Sequence, residues 1–199
     1  MIRVVLATAN RGKQRELAAL FAPLGLELVL AADLDIGSPE ETGATFEANA
    51  LLKARHASRL ATLPALADDS GLQVDALGGR PGVYSARYAG PAASDLDNNA
   101  RLLAELADLP APRRTARYRC VLALARRADD PAPLLAGGSW EGRIAFAPAG
   151  TGGFGYDPLF IPEGCQQSVA ELPGVFKQQH SHRARAAAGL AAQLRAGAL

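Results

Sequence analysis

The 199-residue chain has few of the features that would place it outside ordinary soluble chemistry. It holds two cysteines, Cys120 and Cys165, which fit reduced thiols better than a disulfide scaffold. Neither they nor His56 and His180 show zinc-ligand spacing, so reduced thiols and a cytoplasmic setting are expected. No apolar run approaches the ~18–20 residues that span a bilayer, and the opening MIRVVLATANRGK is too short in apolar residues for a signal sequence. Neither a membrane nor export is expected. Twenty-one Lys and Arg against 20 Asp and Glu give a net charge of +1; a binder of polymeric nucleic acid normally carries more positive charge. There is no Gly-x-Ser-x-Gly elbow for a serine hydrolase. Lysine is the most informative scarcity: only Lys13, Lys53 and Lys177 stand among the 21 cations. A position that keeps lysine in an Arg-rich chain marks a place where a compact ammonium is needed instead of a planar fork.

What is present suits one two-lobed α/β domain over 1–199, with 49% hydrophobic residues to build a core. Ile2–Thr8 reads as a buried strand, Asn10-Arg11-Gly12 as a turn, and Lys13–Phe21 as a helix with Leu17, Leu20 and Phe21 on one face. Leu26–Leu30 reads as a second strand. Thr45–Leu60 reads as a helix through Phe46, Ala50, Ala54, Ala57 and Leu60. Pro64–Ala67 and Leu72–Val74 read as short strands flanking Asp68-Asp69-Ser70-Gly71, and Gly78–Gly90 as an irregular loop. Ser94 with Asp97 three residues on predicts a capping box, opening a helix that carries Leu96, Ala100, Leu103 and Leu106. Further strands are predicted at Tyr118–Ala125, Leu134–Trp140 and Ile144–Phe146. Gly150–Pro158 is a second glycine-rich loop, and Arg183–Leu194 a closing helix. No internal repeat or linker interrupts the chain.

Four segments carry possible chemistry. The strand–turn–helix through Thr8 and Lys13 sets free backbone N–H groups and a helix dipole beside an ammonium, either an anion site or a plain turn with a solvated lysine. It is not a Walker loop, since Ala7 replaces the first glycine and Gln14 the magnesium-binding hydroxyl. Glu40-Glu41 and Asp68-Asp69 are adjacent acidic pairs suited to a hard cation. Taken alone, Ser38-Pro39-Glu40-Glu41 is better read as a helix opening, with Ser at the N-cap, Pro at the first position and Glu at the third. Asp68-Asp69 sits at a strand end, where like charges need a metal or a shifted pKa. In the second glycine loop Phe154 and Tyr156 either stack a planar base or plug the core. Ser181-His182-Arg183 offers donors for a keto oxygen or phosphate.

In order, VVLATANRGKQREL (4–17), EETGATFEANALLKA (40–54), ALADDSGLQVDALGGRPGVYSARYAG (65–90), GTGGFGYDPLF (150–160) and SHR (181–183) resemble the noncanonical purine nucleoside triphosphate pyrophosphatases, which act on inosine and xanthosine triphosphates. The resemblance implies an α/β fold with a long central mixed β-sheet flanked by helices, and two lobes with the substrate cleft between them. It implies a homodimer, a Mg²⁺ requirement, and cleavage of (deoxy)inosine or xanthosine triphosphate to monophosphate plus pyrophosphate. By the same resemblance Thr8, Ala9, Asn10, Arg11, Gly12 and Lys13 cradle the triphosphate, and Glu40 and Asp69 hold magnesium. Asp69 is also the proton acceptor for a water attacking the α-phosphorus. Ser70, Phe154, Gly155, Tyr156, Asp157, Lys177, His182 and Arg183 contact the nucleotide, with His182 and Arg183 offering donors to the C6 keto oxygen. The chain departs from the family before SHR, where Pro173 and Gly174 are expected to shorten or break a helix carrying Lys177. Two other readings are a pyrophosphatase for other modified nucleotides and a noncatalytic nucleotide- or RNA-binding module. The acidic pairs oppose the second, because carboxylates repel phosphate unless a metal intervenes.

Overall fold

A computed structural model describes residues 2–197. Its strands β1 (Ile2–Ala7), β2 (Leu26–Leu30), β3 (Ala65–Val74), β4 (Thr115–Ala125), β5 (Leu134–Ile144) and β6 (Phe160–Pro162) form one sheet in the order β2-β1-β3-β4-β5-β6. β1 runs parallel to β2 and β3, whereas β5 and β6 are antiparallel, so the sheet is mixed. The helices are α1 (Arg11–Phe21), α2 (Phe46–Ala61), α3 (Asp95–Glu105), α4 (Gly174–His180) and α5 (His182–Arg195). Val4, Val5, Leu6 and Ala7 are all buried, as expected of a parallel strand covered on both faces.

The chain divides into two compact units. One takes in the chain up to Asp69, then Cys120–Gly138, then the chain from Arg183 onward; the other is Ser70–Arg119 with Ser139–His182. Each has its own apolar core. Leu6, Leu17, Phe21, Leu66, Leu122 and Leu190 pack in the first, and Leu72, Leu102, Leu106, Trp140, Leu159 and Phe160 in the second.

Helix starts follow the local chemistry. Asn10 caps α1 by accepting from the Lys13 N–H (3.0 Å), and Thr45 caps α2 by accepting from Ala48 (3.1 Å). The Ser94–Asp97 capping box has both of its bonds. The predicted helix opening at Ser38 does not form; residues 36–45 are irregular and α2 waits for Thr45.

Three strand readings change. β3 passes unbroken through Asp68-Asp69-Ser70-Gly71, so the aspartates lie inside a strand and not at its end. Gly71 is there for a close approach: a Cβ would meet Gly82 O and Ser85 Oγ at 2.4 Å. β5 is one strand where two were predicted, Phe146 lies beyond it and is exposed, and β6 went unread. The α3 stripe also differs. Leu96 and Ala100 are exposed, while Asn98 and Asn99 are buried with Leu102. Asn98 accepts from Ala89 N–H and donates to Ala86 O, satisfying two backbone groups of the preceding loop. On α2, Leu60 likewise points outward.

Thr45→Ala removes the α2 cap and is expected to lower the unfolding free energy by about 1 kcal/mol. Urea unfolding reads this as a lower midpoint at unchanged m.

Candidate active site

β1 ends at Ala7, and α1 begins after three intervening residues. Thr8 spends its carbonyl on Gln14 Nε2 (2.8 Å) and its hydroxyl on the Asn10 N–H (3.2 Å), which fixes the bend. Ala9, Asn10 and Arg11 are exposed and Gly12 is buried. The first-turn amides of Arg11 and Gly12 have no intrahelical acceptor by the geometry of a helix start. They point the positive end of the helix dipole toward whatever approaches the bend.

Asp68 and Asp69 are consecutive in a strand, so their side chains leave on opposite faces. Asp68 is 0% exposed. Its Oδ1 lies 2.5 Å from Lys13 Nζ, and its Oδ2 accepts from Arg183 Nε (2.8 Å) and the Cys120 thiol (3.1 Å). Arg183 also bonds Glu16 through Nη1. Burial opposes the charge on Asp68, but Arg183 and Lys13 outweigh it and hold the carboxyl well below the usual range. Burial, then the neighbouring Asp68 charge, pushes the Cys120 thiol well up, so this cysteine is a protonated donor and no nucleophile.

On the other face, Asp69 Oδ1 is 2.5 Å from Lys53 Nζ, which also reaches Glu41 Oε1 at 2.9 Å. The second oxygen, Asp69 Oδ2, is buried with no hydrogen-bond partner among the described residues. Burial raises the Asp69 carboxyl despite Lys53. Burial lowers the Lys53 pKa, but Asp69 and then Glu41 outweigh it and raise the pKa above the ordinary lysine value.

Glu41 reaches this cluster because the loop before α2 is tied down. Asn49 accepts from Gly43 N–H (2.8 Å) and donates to Gly43 O (3.2 Å), and Gly37 O bonds the His56 ring (3.1 Å). Glu40 faces away, exposed on an open groove with Leu51, Leu52, Arg55 and Arg59. The glutamate linked to Asp69, through Lys53, is Glu41, while Glu40, the expected metal ligand, is exposed. A recess of about 200 Å³ opens beside Lys53, lined by Ala7, Thr8, Ala9, Ile36, Ser38 and Pro39 among others.

Among the described residues no group of three or more His, Cys, Asp or Glu side chains is arranged to hold a metal. Magnesium does not need one, since it uses one or two carboxylates and completes its shell with water and phosphate. The orphaned Asp69 oxygen, buried and acceptor-only, fits a hard cation.

In the second unit the hub is Asp157, 1% exposed. Its Oδ2 accepts from Lys177 Nζ (2.5 Å) and from the Phe154 N–H (2.9 Å), and its Oδ1 accepts from Tyr118 OH (3.2 Å). Gly153, at φ +76°, permits this: a Cβ there would lie 2.0 Å from Asp157 Oδ2. Lys177 Nζ sits 4.3 Å from the centre of the half-buried Phe154 ring. α4, which carries Lys177, starts directly after Pro173 and survives for seven residues. Helix α3 holds the loop as well, since Gly155 N–H donates to Asp95 (2.6 Å) and Gly155 O accepts from Asn99 (3.1 Å).

Of the two readings of Tyr156, a stacking face or a core plug, the second holds. Its ring is 4% exposed within the core and its hydroxyl donates to Ser85 O (2.9 Å). Phe154 is the aromatic left facing outward. Asp157 and Gly155 are committed to internal bonds, Ser70 is half-buried, and His182 is buried with its ring stacked on Tyr118.

Sequence reasoning gave no particular role to Lys53, none to Asp68 and Glu41 beyond membership of the two candidate acidic pairs, and none to Glu16 or Tyr118. The scarcity of lysine was the usable signal for the first two, because each of Lys13, Lys53 and Lys177 proves to be paired with an aspartate. Asp68→Ala leaves Lys13 and Arg183 facing an empty site and is expected to cost about 3–5 kcal/mol. The lowered Asp68 pKa stabilises the fold above the unfolded value near 3.8. That contribution fades as pH falls through the folded value. Urea titrations from pH 7 to pH 3 should show Asp68→Asn losing less stability toward acid than the parent.

The Ham1 family matches residues 4–193. A dITP/XTP pyrophosphatase of Methylococcus capsulatus is 57% identical over 194 residues, covering 98% of this chain and 96% of that protein. The dITP/XTP pyrophosphatase of Escherichia coli (strain K12) is 53% identical over 197 residues, covering 99% and 100%. A HAM1 protein structure from Coxiella burnetii aligns with a TM-score of 0.91 at 42% identity, covering 98% of this chain and 99% of that one. With its fold and these relatives in agreement, the chain belongs to the Ham1 family.

Proposed function

We propose that this chain hydrolyses deaminated purine nucleoside triphosphates, (deoxy)inosine and xanthosine triphosphates, to the monophosphate and pyrophosphate. The names of its relatives support the substrate class. The observation that carries the chemistry is Asp69: one oxygen gripped by Lys53, the other buried and unsatisfied.

The first-turn amides of α1 and the Lys13 ammonium hold the polyphosphate at the bend. Lys13 keeps its orientation through Asp68. Lys53 occupies Asp69 Oδ1 and so aims Oδ2 at the attacking water. The raised basicity of Asp69 suits it to take that water's proton. Magnesium, held by Asp69 with Glu41, would neutralise charge on the phosphate oxygens. On the base side, Lys177 and His182 present donors to the keto oxygen at C6. Adenine carries an amine there, which would leave buried donors unpaired, a mismatch able to discriminate by ~10⁴-fold. Phe154 supplies a face for stacking the base. A homodimer working on the cytoplasmic nucleotide pool belongs to the same reading, supported by the family resemblance.

The direct assay is magnesium-dependent pyrophosphate release from inosine triphosphate, abolished by chelation and restored by added metal. Asp69→Asn keeps the shape and removes the base, so kcat is expected to fall by at least ~10²-fold. Near-normal turnover in that variant would reject the role. Adenosine triphosphate cleaved as fast as inosine triphosphate would reject the donor argument.

A further inference from the structure

Tyr118 is a buried side chain of β4, 7% exposed, in the core of the second unit. If it only filled space, phenylalanine would serve, since a buried hydroxyl costs free energy unless it is bonded. Its surroundings are more particular. The ring lies flat on the His182 imidazole, with centroids 4.7 Å apart and planes 11° apart, and is backed edge-on by Phe160 at 4.7 Å. The hydroxyl donates to Asp157 Oδ1 at 3.2 Å. The other oxygen of that carboxylate holds the Lys177 ammonium at 2.5 Å and the Phe154 N–H at 2.9 Å. One side chain therefore touches the supports of three groups assigned to the base.

The geometry points to Tyr118 as a positioning residue for purine recognition, its ring setting the plane of His182 and its hydroxyl setting Lys177 and Phe154 through Asp157. This rests on the reading that Lys177 and His182 face the base. The physical need is directional. An imidazole hydrogen-bonds in its own plane, and donor placement must hold to within roughly 10–20° for a productive contact. A parallel ring 4.7 Å away fixes that plane. Lysine has a long flexible stem, so its ammonium is placed only by what it binds. Asp157 is that anchor, and the phenol steadies the anchor from the side opposite the lysine.

The test is a double-mutant cycle read in KM, kcat and the preference for inosine over adenosine triphosphate. Tyr118→Phe keeps the stacked ring and deletes the hydroxyl. It is expected to raise KM for inosine triphosphate about fivefold, as for a lost hydrogen bond to a charged group partly transmitted. kcat should stay within about twofold, and the melting temperature should fall by only a few degrees, because the core volume is preserved and one buried hydrogen bond is lost. In a Lys177→Ala background the same replacement should raise KM by clearly less than in the parent, because one of the two groups it acts through is already gone. An unchanged KM for Tyr118→Phe in the parent, or an equal rise in both backgrounds, overturns the positioning role and leaves the base-side reading standing. Lys177→Ala alone supplies the separate control: if it changes neither KM nor the inosine preference, the base-side reading fails, and the inference built on it fails for that distinct reason.

Discussion

A carboxylate taken out of water must bring a cation with it, and in this chain that constraint selects the lysines. Asp68, Asp69 and Asp157 are each nearly or fully buried, and each lies 2.5 Å from one of the three lysines, Lys13, Lys53 and Lys177. Removing either partner strands a charge at a cost of several kcal/mol. An ammonium suits these positions because it is compact and can serve two oxygens at once, as Lys53 does for Asp69 and Glu41. Arginine fills the same role at Asp68, where Arg183 reaches Asp68 and Glu16 with different nitrogens of one fork, and at the buried Asp130, which Arg126 grips with two nitrogens.

Strand geometry turns this pairing into function. Two aspartates in sequence would repel if they shared a site, but the period of two sends them to opposite faces, each with its own lysine. Asp68 becomes fully compensated and steadies Lys13 at the end of the N-terminal bend. Asp69 is compensated on one oxygen only. That inequality between neighbours separates a structural acid from one able to take a proton or a cation. The second unit repeats the device at Asp157, where compensation is complete and the product is a rigid loop with Phe154 and Lys177 in fixed places.

Much of this was legible in the residues, and the failures share a cause. Asn10, Thr45 and the Ser94–Asp97 pair mark their helix starts because capping is local chemistry. That Glu41 and not Glu40 meets Lys53 was not legible, since it depends on Asn49 and His56 tying down an irregular loop from the next helix. Tyr156 and Phe154 look alike in a glycine-rich string. Only the fold reveals that one donates to Ser85 inside the core while the other stays half-exposed under Lys177. The α3 stripe misled for a related reason: Asn98 and Asn99 are buried because distant backbone groups need partners, which no hydrophobic periodicity records. β3 hid its continuity because two acidic residues and a glycine imitate a turn until their cations and the Ser85 contact are known.

The account stands or falls on the open oxygen of Asp69. Anomalous scattering from crystals soaked in manganese, a stand-in for magnesium visible to X-rays, addresses it directly. The account predicts one strong peak about 2.1–2.2 Å from Asp69 Oδ2 with Glu41 as its other protein neighbour, by the distances usual for such small hard cations. A peak at Glu40 instead, or none near Asp69 at saturating metal, would contradict it.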